Sequence, residues 1–398
     1  MREHESSGAA ACWIRMRLHL LGLVAASVSP LHARGIVPDF PLYFDVGGCS
    51  SSETCMDTVK SSVESSGLAD SVVLNGAFEC PHPCGEWPSY NAADGTTVNN
   101  GLPQLANVSY HLQVLQSTFD KYQPNASDDR WVDLDYESWS PIWERNSNGS
   151  WYRTASVALV ALEHPSWNSS QLEAEAKKQW EASAKSLVLA TVEFLREIRP
   201  ALRIGLYGWP NRYYYNGYDS STDGDELRAQ NDRLAPVWCQ LDGLFVSVYQ
   251  FYNGSSSAST AAANSEYVYS NIAEARRIAD NVADPASPYA CSGGAESSRK
   301  NGAKSVADTV NAAANAAAPL VLAYTWHRYH DDDESFLEDI DEAMFWEQGS
   351  AAGADGLVLW GYEPSDEDQQ AFQEYWANDF CPLFSARATA QTKMATTA

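Results

Sequence analysis

The sequence predicts an α/β fold: a TIM-like (β/α) barrel, distorted and built on about seven strands. Short apolar runs of strand length recur at 42–46, 71–77, 131–136, 202–209, 243–249, 320–326 and 356–362. Between them lie segments with apolar residues three to four apart, at 103–121, 171–198, 264–282, 304–317 and 335–349. Strands separated by helices pair in parallel, and at this length a parallel sheet closes into a barrel. An open, doubly wound sheet is the alternative, but no strand leads into a glycine-rich phosphate loop.

At the N-terminus, Arg15 and Arg17 precede an apolar run from Leu18 to Val28, followed by small residues up to Ala33. That order is a secretory signal peptide, 1–33; a signal anchor is the bland alternative, but the run is too short to span a bilayer. Residues 34–385 read as one barrel domain and 386–398 as a disordered polar tail. The clearest helix carries Leu172, Ala176, Trp180, Ala184, Leu187, Phe194 and Ile198 on one face, and Pro200 ends it. Residues 255–263 and 292–305 read as surface loops. The sequons at Asn107, Asn125, Asn148, Asn168 and Asn253 are glycosylation candidates in a secreted chain.

Composition narrows the function classes. The 398 residues carry 52 Asp+Glu against 26 Lys+Arg, a net charge of −26, with 44% hydrophobic and 12% aromatic residues. So much apolar material excludes a disordered chain, and the acidity excludes nucleic acid held through phosphate contacts. The 14 Trp and 20 Tyr suit carbohydrate recognition, in which rings stack on sugar faces. Beyond Cys12 in the signal lie Cys49, Cys55, Cys80, Cys84, Cys239, Cys291 and Cys381. That odd number leaves at least one thiol without an intrachain partner. Cys80 and Cys84 lack the second half-site of a zinc centre and read as a loop disulfide.

Barrel chemistry sits at the C-terminal ends of strands, which directs attention to Asp133, Asp135 and Glu137. Alternation puts all three on one face of the strand. Carboxylates crowded at a barrel mouth repel one another and are poorly solvated, so their pKa values rise and one can stay protonated. A protonated acid beside an ionised one is what glycosidic bond cleavage needs. A salt-bridged strand end is the bland alternative.

The segment Asp133-Leu134-Asp135-Tyr136-Glu137-Ser138-Trp139-Ser140-Pro141-Ile142-Trp143-Glu144-Arg145-Asn146, with Tyr152-Arg153 after it, resembles the catalytic strand and loop of hyaluronidases, glycoside hydrolase family 56. Gly101-Leu102-Pro103-Gln104, Gly205-Leu206-Tyr207-Gly208-Trp209-Pro210, Arg228-Ala229-Gln230-Asn231-Asp232, Ser247-Val248-Tyr249 and Val358-Leu359-Trp360 match in the family's order. The likeness spans about residues 100 to 375. It implies a glycoside hydrolase barrel in which the substrate's own N-acetyl oxygen attacks the anomeric carbon. Glu137 would then be the general acid and later base, and Asp135 would hold the acetamido N–H. Tyr207 and Tyr249 would fix the acetamido group, and Trp360 would line its pocket. Trp87, Tyr90, Trp139 and Tyr329 are further substrate-binding candidates, whereas Asn231 and Asp232 read as structural.

The resemblance also marks departures. Ser140 and Asn271 stand where basic residues are common, Arg212 and Asp223 where a disulfide pair is usual, and Gln369 where a cysteine is expected. The reading is a secreted endo-β-N-acetylhexosaminidase acting on hyaluronan or chondroitin-type glycans. It needs no cofactor or metal, is a monomer without a stable membrane anchor, and works outside the cell or in a lysosome-like acidic compartment. The same chemistry on a less charged N-acetylated polysaccharide, or a non-catalytic glycan-binding protein of this fold, are the alternatives. The run 330–334 lacks the spacing of a calcium loop and reads as acidic residues ahead of a helix.

Overall fold

The computed structural model describes residues 41–44, 53–66, 72–211, 221–291, 318–330, 332–361 and 366–385. The expected signal peptide 1–33, helix 304–317, Arg212 and the tail 386–398 lie outside them. Eight parallel strands form the main sheet: β1 (Leu42–Phe44), β2 (Val72–Leu74), β3 (Ala77–Glu79), β6 (Trp131–Leu134), β7 (Arg203–Tyr207), β8 (Gly243–Ser247), β9 (Leu320–Trp326) and β12 (Gly356–Trp360). β4 (Ser89–Tyr90) pairs with β5 (Thr97–Val98), and β10 (Arg328–Tyr329) with β11 (Asp332–Phe336), in two small antiparallel ribbons.

The sheet order is β2-β1-β12-β9-β8-β7-β6-β3, so β2 and β3 are opposite edges. Only Asn75 and Gly76 join them, and three Cα steps span no more than about 11 Å. The edges therefore meet, and the sheet is a barrel closed by chain connection instead of by a ladder. Asn75 turns the chain at φ 52°, in the left-handed region that Asn tolerates. That turn is why about seven expected strands become eight: the run 71–77 holds β2, the turn, and the first residue of β3.

Strand alternation sorts the side chains into two cores. Leu42, Phe44, Val132, Leu134, Ile204, Leu206, Leu244, Val246, Leu357 and Leu359 face outward into one large apolar cluster. Tyr43, Ala77, Trp131, Phe245, Leu322, Tyr324 and Val358 fill the barrel interior. Room for these rings comes from glycine. A Cβ on Gly205 would lie 2.4 Å from Phe245, and one on Gly243 would lie 2.7 Å from Trp131.

The surrounding helices are α1 (Glu53–Ser65), α2 (Val108–Tyr122), α3 (Trp151–Glu163), α4 (Ser169–Ile198), α5 (Ser221–Asp232), α6 (Ala235–Trp238), α7 (Ala258–Ala283), α8 (Asp339–Ala352) and α9 (Asp366–Tyr375). α4 starts at a reciprocal cap between Asn168 and Gln171, and buries Ala176, Trp180, Ala184 and Leu187 as its periodicity required. Two expectations are corrected. Residues 258–263 belong to α7, started by the Ser257 cap, and are not loop. The acidic stretch leads into β11 and not into a helix; α8 begins only at Asp339.

Disulfides join Cys80 to Cys84 and Cys239 to Cys291, and Cys55 is also disulfide-bonded. Among the described cysteines Cys381 is free and buried, and burial pushes its thiol up to about 12. Among the described residues no helix is long and apolar enough to cross a membrane.

Candidate active site

β6 presents Asp133 to the barrel interior two residues after Trp131, and the chain leaves the strand with Asp135 and Glu137 following. Asp133 is 2% exposed and accepts a hydrogen bond from Tyr324 of β9. Burial, then Asp135 and Glu79, raise its pKa far above the carboxylate range. Burial also raises Asp135, to about 7, with Glu137 and Glu79 adding to it. Oδ1 of each aspartate is buried without a hydrogen-bond partner among the described residues. Glu137 is exposed. The gradient runs from a buried acid to a solvated one within a single strand end.

The neighbouring strand ends bring tyrosines to this mouth. Tyr207 Oη lies 3.1 Å from Ser247 Oγ, and its ring meets Tyr249 edge-on at 6.2 Å and Tyr324 at 5.0 Å. Burial raises both the Tyr207 and Tyr249 pKa values, and the charges of Asp135 and Glu137 add to each. Both hydroxyls therefore stay protonated and able to donate. Trp360 closes the same cluster, half-buried, edge-on to Trp326 at 5.5 Å.

The other aromatic candidates divide. Trp87 is half-buried, stacked on Tyr136 at 5.0 Å, with Nε1 donating to the Cys84 carbonyl at 2.6 Å. Tyr90 stacks on Trp151 at 4.6 Å and keeps partial exposure. Trp139 and Tyr329 are buried. Trp139 is 5% exposed in a second core with Trp143 and Trp180, and its Nε1 donates to the Pro88 carbonyl. Tyr329 is 3% exposed in the outer cluster, and its hydroxyl donates to Asp341 at 2.7 Å. Their aromatic character serves packing with a satisfied polar tip.

Arg145, Arg153, Arg276 and Arg277 are engaged with partners within the fold. Arg145 donates to Gln230 and Asn231 and lies over Trp209 at 4.6 Å. Arg153 pairs with Glu173, Arg276 with Asp355, and Arg277 with Asp232 and Glu274. Asn231, fully buried, links Arg145 to Glu274, which is the structural part its motif implied. The departures are accommodated locally: Ser140 Oγ accepts from the Ile142 N–H, and Asn271 donates to the Tyr267 carbonyl.

Glu79 and Tyr324 are members of this constellation that sequence reasoning passed over. Tyr324 was legible in the alternation Leu322, Tyr324, Trp326. Glu79 was hidden because the run read as a strand, 71–77, stops two residues short of it. Among the described residues no cluster of three or more His, Cys, Asp or Glu side chains could hold a metal ion. The sequon residues Asn107, Asn125, Asn148 and Asn168 are exposed, whereas Asn253 is half-buried, with Nδ2 donating to Glu338 at 2.6 Å.

Comparisons with known proteins point to one family. A family model described as hyaluronidase matches residues 81–291. A hyaluronidase of Polybia paulista is 28% identical over 72% of this chain and 88% of its own length. Hyaluronidase-2 of Mus musculus is 32% identical over 49% of this chain and 41% of its own length. The fold is similar to that of bee venom hyaluronidase, with a TM-score of 0.67 at 23% identity, over 87% of this chain and all of that one. The same protein has also been solved in complex with a hyaluronic acid tetramer.

Proposed function

The chain belongs to the hyaluronidase family of glycoside hydrolases, and from that premise we propose that it is an endo-β-N-acetylhexosaminidase hydrolysing hyaluronan or chondroitin-type glycosaminoglycans with retention. The observation that carries the proposal is the run from half-buried Asp135 to exposed Glu137 at a barrel mouth ringed by Tyr207 and Tyr249.

In the proposed mechanism Glu137 protonates the leaving oxygen while the substrate's acetamido oxygen attacks the anomeric carbon. Glu137 then activates the water that opens the oxazolinium intermediate. Asp135 holds the acetamido N–H and stabilises the charge developing on that group. Support for this comes from its buried Oδ1, an acceptor costly to leave unpaired and suited to an incoming donor. Tyr207 and Tyr249 orient the acetamido group for attack, and Trp360 packs against its methyl. The disulfides and four exposed sequon asparagines favour an oxidising, secretory route.

One observation favours a second reading. The described arginines named above are committed to internal partners, so a less charged N-acetylated polysaccharide would meet fewer unfavourable contacts than a polyanion. Digestion of hyaluronan, chondroitin and chitin oligomers across acidic and neutral pH, beside Glu137→Gln, separates the two readings. Turnover of hyaluronan or chondroitin supports the first, and turnover of chitin oligomers alone the second. Activity surviving intact in Glu137→Gln would mean that another group is the acid.

A further inference from the structure

We infer that Trp151, stacked on Tyr90, forms an aromatic platform that holds a sugar ring of the bound glycan away from the bond being cleaved. This deepens the proposed function and rests on that reading for where the bond lies.

The two rings come from neighbouring connections on the reacting side of the barrel. β3 and β6 are parallel partners. The connection after β3 carries Tyr90, and the connection after β6 carries Asp135 and Glu137 and ends at Trp151, the first residue of α3. Connections that follow parallel barrel strands lie at the mouth. These two are tied together, because the Pro88 carbonyl accepts from the Tyr136 hydroxyl and from Trp139 Nε1, residues on either side of Glu137. Tyr90 stands only two residues beyond Pro88, no more than about 7 Å along the chain. β6 has β7 on one side and β3 on the other. The platform and the Tyr207–Tyr249 pair therefore flank the carboxyl segment from opposite sides. A glycan with its acetamido group between those tyrosines crosses Glu137 to reach Trp151.

The platform is held in orientation and left open. The Tyr90 and Trp151 rings are parallel to within 9°, with centroids 4.6 Å apart. Trp151 Nε1 donates to the Asn100 carbonyl at 3.0 Å, and the Tyr152 hydroxyl bonds to the Tyr90 backbone. Gly101 beside them has φ 72°, and a Cβ there would lie 3.2 Å from the Trp151 ring. Trp151 is nevertheless 39% exposed. Trp87 differs, since Tyr136 stacks on it while His111 and Trp139 meet it edge-on. A fixed, exposed ring suits the apolar C–H face of a hexose, because stacking removes water from both surfaces with little ordering of the protein. Asn91, Thr97 and Asn100 border the stack, exposed and uncharged, and can exchange hydrogen bonds with sugar hydroxyls. Two rings make too small a patch for a stable protein partner.

The test measures kcat and KM on tetrasaccharides and decasaccharides of hyaluronan and of chitin for wild type, Trp151→Ala, Trp151→Phe and Tyr90→Ala. Binding of the same oligosaccharides is measured by calorimetry in Glu137→Gln with and without Trp151→Ala. On the decasaccharide that wild type cleaves better, Trp151→Ala is expected to raise KM about fivefold to thirtyfold, with a smaller change in kcat. The tetrasaccharide should lose less, Trp151→Phe should keep most of the affinity, and Tyr90→Ala should fall between. An equal loss at both lengths, or an unchanged KM on the decasaccharide, overturns the inference. Asn148, three residues before Trp151, is a sequon. If Trp151→Ala lowers thermal stability only while Asn148 carries a glycan and leaves KM unmoved, the ring serves the chain's own glycan and the inference falls. Length-dependent binding that needs Trp151, without turnover by wild type, would uphold the platform and sink the proposed function. Turnover with no dependence on length would do the reverse.

Discussion

Tyr207 Oη and Ser247 Oγ lie 3.1 Å apart, joining the C-terminal ends of two adjacent strands across the floor of the site. The contact fixes the rotation of the Tyr207 hydroxyl without consuming its capacity to donate, because a serine hydroxyl can supply the proton to it. Tyr207→Phe should therefore lower kcat about 10- to 100-fold with a smaller change in KM, as loss of a donor made useful in the transition state does. Ser247→Ala should cost only severalfold, since it loosens the tyrosine and leaves it in place. Steady-state kinetics on the glycan that wild type cleaves best checks both.

Asp135 links activity to stability with opposite signs. Its pKa rises from 3.8 to about 7 on folding, so the native state binds this proton more tightly than the unfolded chain. The stability it contributes is complete below the unfolded value and is lost as pH rises through the folded one. Asp135→Asn should accordingly raise stability by about 2 kcal/mol above pH 7, after discounting for partial exposure, and by little near pH 4. It should also abolish most turnover. Denaturant melts at the two pH values check the sign; equal gains at both would contradict it.

Trp139 should behave as a core residue. Trp139→Ala removes a buried ring from a cluster with Trp87, Tyr136 and Trp180 and should destabilise the fold by about 3–5 kcal/mol. A variant with unchanged thermal stability and a raised KM would restore Trp139 to the cleft.

The disulfide between Cys239 and Cys291 closes a long loop, with a sequence separation of 52. On the chain-entropy account, replacing both cysteines by alanine should cost about 4 kcal/mol, far more than removing the short Cys80–Cys84 loop. Chemical denaturation of the two double variants gives the comparison.

How far the sequence could be read depended on whether each signal was local. The strands β6 to β9 and β12 lay within continuous apolar runs, and α4 announced itself through a cap, a long periodic face and a terminating proline. β3 did not, because the Asn75-Gly76 turn lies inside a run, 71–77, that reads through as one strand. The burial of Trp139 and Tyr329 was not legible for a different reason. An aromatic near a strand end looks the same in sequence whether its face meets sugar or another ring. The choice depends on residues distant in the chain, such as Trp180 and Asp341.

The sequence alone determined that Asp133, Asp135 and Glu137 follow one another at every second residue through the end of β6, the strand itself closing at Leu134. It also determined the family, through motifs kept in order along the chain. Only the tertiary structure decided how these carboxyls differ from one another. Full burial raises Asp133, partial burial raises Asp135, and Glu137 stands in solvent. It likewise decided that Glu79 joins them, since desolvation and strand register arise from packing between segments far apart in the chain.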